Sequence, residues 1–283
     1  MKTLRPWLWC VPLLLTANEA CAWGLVTHTY FAQILLWAVP LADPAFRRAA
    51  RRFPRLVLTG ASLPDLALVS RLGGVGGFQD SHEWSCASVL LSDCRDDGER
   101  ALALGFVSHL LTDVLAHNHY VPTHETLWAP VPHVTHALCE WTLDHHLHGE
   151  LFAPPGELLA AESGRAAAWT ARHFGGSKAA ARKAIGQLAG ADQILRASRL
   201  PRLAHAIACR LDRRMQRRMH HFLRETVARL PQINALLAGE TPAWAADVCP
   251  VRARAGLAGL DLAHLRNRLP LPQDLFAPTG GWA

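Results

Sequence analysis

Little in this chain of 283 residues favours a sheet: tyrosine occurs only twice and β-branched residues are few. Alanine and leucine dominate instead, and that balance points to helices. No C-x-x-C pair occurs, so a thiolate zinc site is not expected. The glycine-rich stretch Gly73-Gly74-Val75-Gly76-Gly77 has no phosphate-cradling lysine, so it is not a P-loop. No apolar run reaches the roughly 20 residues that span a bilayer. No internal repeat, low-complexity tract or clean linker divides the chain, so one domain is expected. What is present in quantity is apolar surface and histidine: half of all residues are hydrophobic, and there are 16 histidines.

The first 22 residues have the form of a secretory signal peptide. Lys2 and Arg5 supply the positive start, Trp7 to Leu15 the apolar core, and Ala20-Cys21-Ala22 the small-x-small cleavage site. An uncleaved anchor is the alternative. Attachment of lipid at Cys21 fits poorly, because Asn18-Glu19-Ala20 before it is polar. Cleavage after Ala22 gives a mature chain, residues 23–283, that begins at Trp23 and is secreted or periplasmic. That chain is long enough for one large core. The formal charge of +6 falls only to about +5 when Lys2, Arg5 and Glu19 leave. A basic mature protein suits anionic surfaces or substrates. Seven cysteines become five, and an oxidising compartment permits disulfides. Cys86 with Cys94 and Cys209 with Cys249 are candidate pairs, although sequence does not fix connectivity.

Helix follows helix along the chain. His28 to Val39 ends at Pro40. Asp96 or Asp97 can cap a helix running to about His117. Pro122 to Pro132 reads as a proline-broken loop, and Pro132 opens a helix through His148. Glu157 to His173, Ser177 to Leu188 and Arg202 to Leu230 are further helical stretches. In the last of these Leu203, Ile207, Leu211, Met215, Met219 and Phe222 recur near helical period, so one face is expected in the core and the arginines outside. A basic face of this kind could also dock on anionic lipid or nucleic acid. The tail from about Thr241 is expected to wrap the body.

Most histidines lie between His82 and His148. His109 and Asp113 are four apart within an apolar run, so one helix face carries both. Burying a histidine and a carboxylate there is costly without a partner, and a metal ion satisfies both. The ordinary alternative is a histidine–aspartate hydrogen bond in a core. His136 and Glu140 repeat the spacing, and Asp144 extends that face by a turn. Zinc accepts imidazole nitrogen and carboxylate oxygen, so two helices with His-x-x-x-acid make the reading more specific. Near the mature terminus, Trp23-Gly-Leu-Val-Thr-His28 offers a third group. An α-amino group with a pKa of about 7.7–8.0 is accessible in its neutral, metal-binding form.

With these motifs, and with Gly60-Ala-Ser-Leu-Pro-Asp65 and His82, the chain resembles the bacterial zinc-dependent phospholipase C family over residues 23 to about 148. It is similar also to the N-terminal part of glycosylphosphatidylinositol-cleaving phospholipases. The resemblance implies an all-α, single multi-helix domain holding three zinc ions. It places one ion on Asp65, His82, His109 and a bridging Asp113. A second would take the amine and carbonyl of Trp23, with His28 and Asp113. The third would take His119, His136 and Glu140. His117, which continues the Asp113 face, competes with His119. His124, His133, His145, His146 and His148 are expected outside the ligand set.

Such a cluster activates water by lowering its pKa and neutralises charge on a phosphoryl group. The expected reaction is in-line attack of that water on a phospholipid head-group phosphodiester, with Asp65 as general base. Peripheral membrane contact is a possible accompaniment. The related fungal-type zinc nucleases use a similar ligand set, with an aspartate where Glu140 stands here. A nuclease would use aromatic platforms such as Trp84, Trp128, Trp141 or Trp169 for stacking bases. No stable nucleic-acid partner is expected on the lipase reading. A zinc or lipid-head-group binder without turnover is the third reading. Oligomeric state is not legible.

Overall fold

A computed structural model describes residues 24–69, 77–128 and 132–246. Among them the chain is helical throughout, with no strand. None of the helices is long and apolar enough to cross a membrane. The proposed signal peptide, Trp23, the loop up to Gly76, Cys249 and most of the tail lie outside the described residues.

The helices are α1 Leu25–Ala38, α2 Pro44–Arg52, α3 Pro54–Gly60, α4 Trp84–Ser92, α5 Asp97–Leu115, α6 Val121–Leu127, α7 Pro132–Leu147, α8 Pro155–Ala161, α9 Ser163–Phe174, α10 Lys178–Ala197, α11 Leu200–Leu211, α12 Met215–Arg229 and α13 Ile233–Leu237. Short 3-10 turns at Pro64–Leu66, Phe78–Asp80, His148–Glu150 and Leu230–Gln232 join some of them. A π-helical segment, Ala116–Tyr120, links α5 to α6.

Helix α5 is the axis of the fold. Asp96 caps it through Glu99 N at 2.9 Å, while the Glu99 carboxylate reaches back to Arg95 N at 2.7 Å. From Ala101 onward every residue of α5 is buried. A helix wetted on no face must be wrapped by others, and α1, α2, α3 and α4 all pack on it. The crossing with α3 is closest. A Cβ on Gly105 would lie 2.0 Å from the Val57 carbonyl oxygen, and one on Gly60 would lie 2.3 Å from the Leu102 carbonyl oxygen. Glycine at both positions lets the two backbones touch. On another side of α5, Phe106 meets Trp169 and Phe174, and Phe174 stacks on Phe78 at 4.2 Å.

Several expected boundaries move. Helix α6 occupies the first half of the expected proline-broken loop, because Pro122 sits in its first turn, where a missing N–H costs nothing. The stretch from Arg202 to Leu230 is two helices. The break falls at Asp212, whose carboxylate binds Arg218 and accepts from Trp128 Nε1 at 3.1 Å. The apolar face divides with it: Met215, Met219 and Phe222 are in the core, whereas Leu203, Ile207 and Leu211 are exposed. Cys86 and Cys94, expected as a possible pair, are free thiols. Each is on or next to α4, and the Cys94 thiol donates to the Leu90 carbonyl at 3.1 Å. Cys209 is free as well.

Candidate metal centre

The close approach of α3 and α5 places the loop after α3 against the middle of α5. His109 Nδ1 donates to the Ala61 carbonyl oxygen at 2.8 Å, which turns its other nitrogen, Nε2, inward. That nitrogen lies 3.0 Å from Asp113 Oδ2, 3.3 Å from His82 Nε2 and 3.9 Å from Asp65 Oδ1. Asp65 is held on the 3-10 turn opened by Pro64. His82 Nδ1 is 3.1 Å from the Ser81 hydroxyl, which orients the ring.

His28 enters from α1. The Thr112 hydroxyl donates to the His109 carbonyl oxygen at 2.9 Å and so is left to accept from His28 Nδ1 at 3.2 Å. His28 Nε2 then carries the lone pair, and it faces Asp113 Oδ1 at 3.3 Å. The His28 and His109 rings stack with centroids 3.4 Å apart. His28, Asp65, His109 and Asp113 are each no more than 2 % exposed.

Two sets therefore converge, His28 with His109 and Asp113, and Asp65 with His82 and His109, each with ligand atoms within 4.8 Å. Tetrahedral ligands ~2.0–2.1 Å from zinc lie about 3.3 Å apart. The separations of 3.0 and 3.3 Å match that spacing. Orphaned atoms argue the same way. His28 Nε2 and Asp113 Oδ1 are buried, have no hydrogen-bond partner, and face each other as two acceptors. Leaving such groups unmatched costs ~1–3 kcal/mol apiece. A cation between them removes the conflict.

Without a cation, charge rearranges around Asp113. Burial alone would lower the His109 pKa, but the Asp113 and Asp65 carboxylates outweigh it and raise the group to about 9. Burial would likewise raise Asp113, yet His109 and His28 hold it well below the usual range. Burial, then the nearby His109, lowers His28 to about 4 and His82 to about 3. Those two imidazoles are neutral at neutral pH, as metal ligands must be.

The second acidic pair lies one helix away. His136 Nε2 is 3.1 Å from Glu140 Oε1 on α7, with 23 % and 12 % of the side chains exposed. Burial, followed by Asp65, Asp144 and Asp113, pushes Glu140 well above the usual carboxylate range. His119 is not drawn into a compact triad with this pair. Its ring lies 5.6 Å from that of Trp244, and both its ring nitrogens are buried without a hydrogen-bond partner. His117 occupies the intervening position, 3.9 Å from Asp113 Oδ2 and with its ring 5.7 Å from that of His136. His117 and His119 both lie in the π-helical segment, and such bulges recur at functional sites. The nearby His124 is structural, donating from Nδ1 to the Tyr120 carbonyl oxygen at 2.7 Å while Nε2 accepts from Arg218 Nε at 3.2 Å.

Asp144 does not continue the His136–Glu140 function. Its carboxylate accepts from Thr27 N at 2.9 Å, Thr27 Oγ1 at 2.7 Å and Val26 N at 3.4 Å, so it caps α1 from another helix. The α1 start has no cap of its own, because Gly24 precedes it. A Cβ on Gly24 would fall 2.1 Å from an Asp144 oxygen. Sequence gave no signal for this tie across 117 residues. The i, i+4 spacing shows only that it shares a face with His136 and Glu140.

The model of the family described as zinc dependent phospholipase C matches residues 27–176. The chain belongs to the zinc dependent phospholipase C family. No curated protein and no solved structure matches it. The family match spans every candidate ligand except Trp23, and the all-α architecture accords with membership. For a zinc dependent phospholipase C, the buried His28, Asp65, His109 and Asp113, with the half-buried His82, are a donor set that could hold the metal.

Proposed function

We propose that the chain is an exported phospholipase C-type phosphodiesterase that hydrolyses phospholipid head-group phosphodiesters. The observation that carries this reading is the convergence of His28, Asp65, His82 and His109 around one buried carboxylate, Asp113. Zinc held there supplies Lewis acidity and water activation at neutral pH. Asp113 would be shared by two ions, one beside His28 and one on His82, His109 and Asp65. Asp65, whose Oδ1 lies 3.9 Å from His109 Nε2, would act as general base toward the attacking water. Access is from the side of His82, His136 and Glu140, whose side chains retain contact with solvent. A third metal on His136 and Glu140 would bring the count to three, and it needs His119 to turn from Trp244 toward that pair.

Cleavage after Ala22 completes the centre by freeing the Trp23 amine. The Asp144 cap supports this, because it holds the start of α1, two residues beyond Trp23, through Thr27 next to His28. Lipid is favoured over nucleic acid by the tryptophans. Trp84 and Trp169 are buried and Trp128 is turned onto Asp212, so these three present no stacking platform. Glu140, in place of an aspartate, agrees. The exposed Leu203, Ile207 and Leu211 beside Arg202 and Arg210 suit peripheral contact with a lipid surface.

The test is hydrolysis of phosphatidylcholine vesicles and of single-stranded DNA by the mature, zinc-loaded protein. Phosphorylated head group is expected from the vesicles and no nucleotides from the DNA. Asp113→Ala is expected to lose metal and activity together, and Asp65→Asn to keep metal and lose rate. Full activity in Asp113→Ala would refute the assignment, and zinc binding without hydrolysis of either substrate would point to a non-catalytic binder.

A further inference from the structure

A second cluster of metal-ligating side chains lies on a different part of the molecule, where α7, α11 and α12 meet. His145 and His146 come from the end of α7, His205 and Cys209 from α11, and His220 from α12. The His205 ring lies 5.2 Å from that of His145 and 6.0 Å from that of His146, and His146 lies 5.2 Å from His220. His148 stacks on His145 at 5.1 Å. No carboxylate makes an ion pair with any of these rings among the described residues. The cluster is therefore not an acid–base network holding protonated imidazoles.

His205 is oriented as a ligand is oriented. Its Nδ1 donates to the Thr142 carbonyl oxygen on α7 at 3.2 Å, which fixes the tautomer and leaves the Nε2 lone pair outward. That nitrogen lies 3.7 Å from Cys209 Sγ, one helical turn along α11. A tetrahedral ion with a sulfur at ~2.3 Å and a nitrogen at ~2.0–2.1 Å holds them on the order of 3.5 Å apart. His148 repeats the pattern, with Nδ1 donating to the His145 carbonyl oxygen at 2.6 Å. Rotation of the part-exposed His145 or His146 ring supplies a third nitrogen, and water the fourth position.

We infer that His205 and Cys209, with His145 or His146, bind one zinc ion that fastens α11 to α7, separately from the buried centre. On binding, the Cys209 S–H bond gives way to a sulfur–zinc bond and the proton leaves to solvent. The C-x-x-C spacing is irrelevant here, since a single thiolate is supplemented by imidazoles. The ion would brace the helix that also carries His136 and Glu140. The inference does not depend on what reaction the buried centre performs.

The experiment is cobalt substitution and zinc analysis of the mature holoprotein at fixed free metal. Thiolate-to-cobalt charge transfer reports this site, because no cysteine is among the candidate ligands of the buried centre. Wild type is expected to show that band, and Asp113→Ala to keep it. Cys209→Ser and His205→Ala should each lose the band and one zinc per chain, with vesicle hydrolysis at saturating zinc unchanged. The inference is overturned if wild type shows no band, if Cys209→Ser keeps it, if both variants retain the full zinc count, or if peptide mapping finds Cys209 oxidised with Cys249.

Discussion

Gly105→Ala tests the packing that builds the centre. In an exposed helix the change stabilises, by ~0.8–1 kcal/mol, because alanine loses less backbone freedom than glycine. At this position the new Cβ would sit 2.0 Å from the Val57 carbonyl oxygen, 2.8 Å from Ala61 N and 2.9 Å from Gly60 Cα. All three are backbone atoms, so no side-chain rotation relieves the overlap. Restoring ordinary contact needs α3 and α5 to part by on the order of 1 Å, and overpacking of this kind costs ~1–3 kcal/mol or more. The overlap is more severe than an extra methylene, so we expect net destabilisation of about 2–3 kcal/mol. The same movement would stretch the 2.8 Å bond from His109 to Ala61 O and turn His109 away from Asp113. Urea unfolding with zinc analysis of the same sample checks both effects. Gly186→Ala and Gly190→Ala on α10 are the controls: a Cβ at either meets nothing within 4 Å, so each should gain up to about 1 kcal/mol. A Gly105→Ala protein as stable as these controls, with its metal intact, would refute the argument.

The metal-free protein should be most stable near pH 6.5 in urea unfolding followed across pH. His109 is raised to about 9, so its contribution is complete below the unfolded value of ~6.5 and lost as pH rises through 9, on the order of 3 kcal/mol. His28 and His82 are lowered to about 4 and 3, so theirs is present above ~6.5 and lost as pH falls through those values. A flat profile would contradict the assigned contacts, and zinc should remove the alkaline fall by replacing the proton on His109. Asp144→Ala leaves the start of α1 without its cap, and caps are worth ~0.5–2 kcal/mol. It should weaken zinc retention more than Asp144→Asn, as read by chelator competition. Gln33→Ala cuts two bonds, from Nε2 to Glu150 O at 2.8 Å and from Phe152 N to Oε1 at 2.7 Å. It should lower stability by about 1–3 kcal/mol in thermal unfolding without changing metal content.

The helical class was legible because apolar residues recur at helical period over long stretches. The candidate ligands on α5 and α7 were legible because i, i+4 spacing places two side chains on one face whatever the helix packs against. Asp65 and His82 were reached only through resemblance, since neither stands in a repeating pattern, whereas His28 was reached through its nearness to the Trp23 amine. The π-helical segment was not legible: Ala116 to Tyr120, which includes His117 and His119, carries no residue that marks a wider turn. Asp144 illustrates a different limit. Its spacing places it on the face of His136 and Glu140, but its partners are backbone N–H groups far away in the chain. The exposed face of α11 failed for a related reason. Leu203, Ile207 and Leu211 continue the period of Met215, Met219 and Phe222, and only the turn at Asp212 separates the two faces.

Anomalous scattering at the zinc edge from crystals of the mature protein tests the central claim most directly. Peaks are expected among Asp65, His82, His109 and Asp113, and between His28 and Asp113, with Asp113 shared. Zinc-soaked crystals with no anomalous density among those five side chains would contradict it.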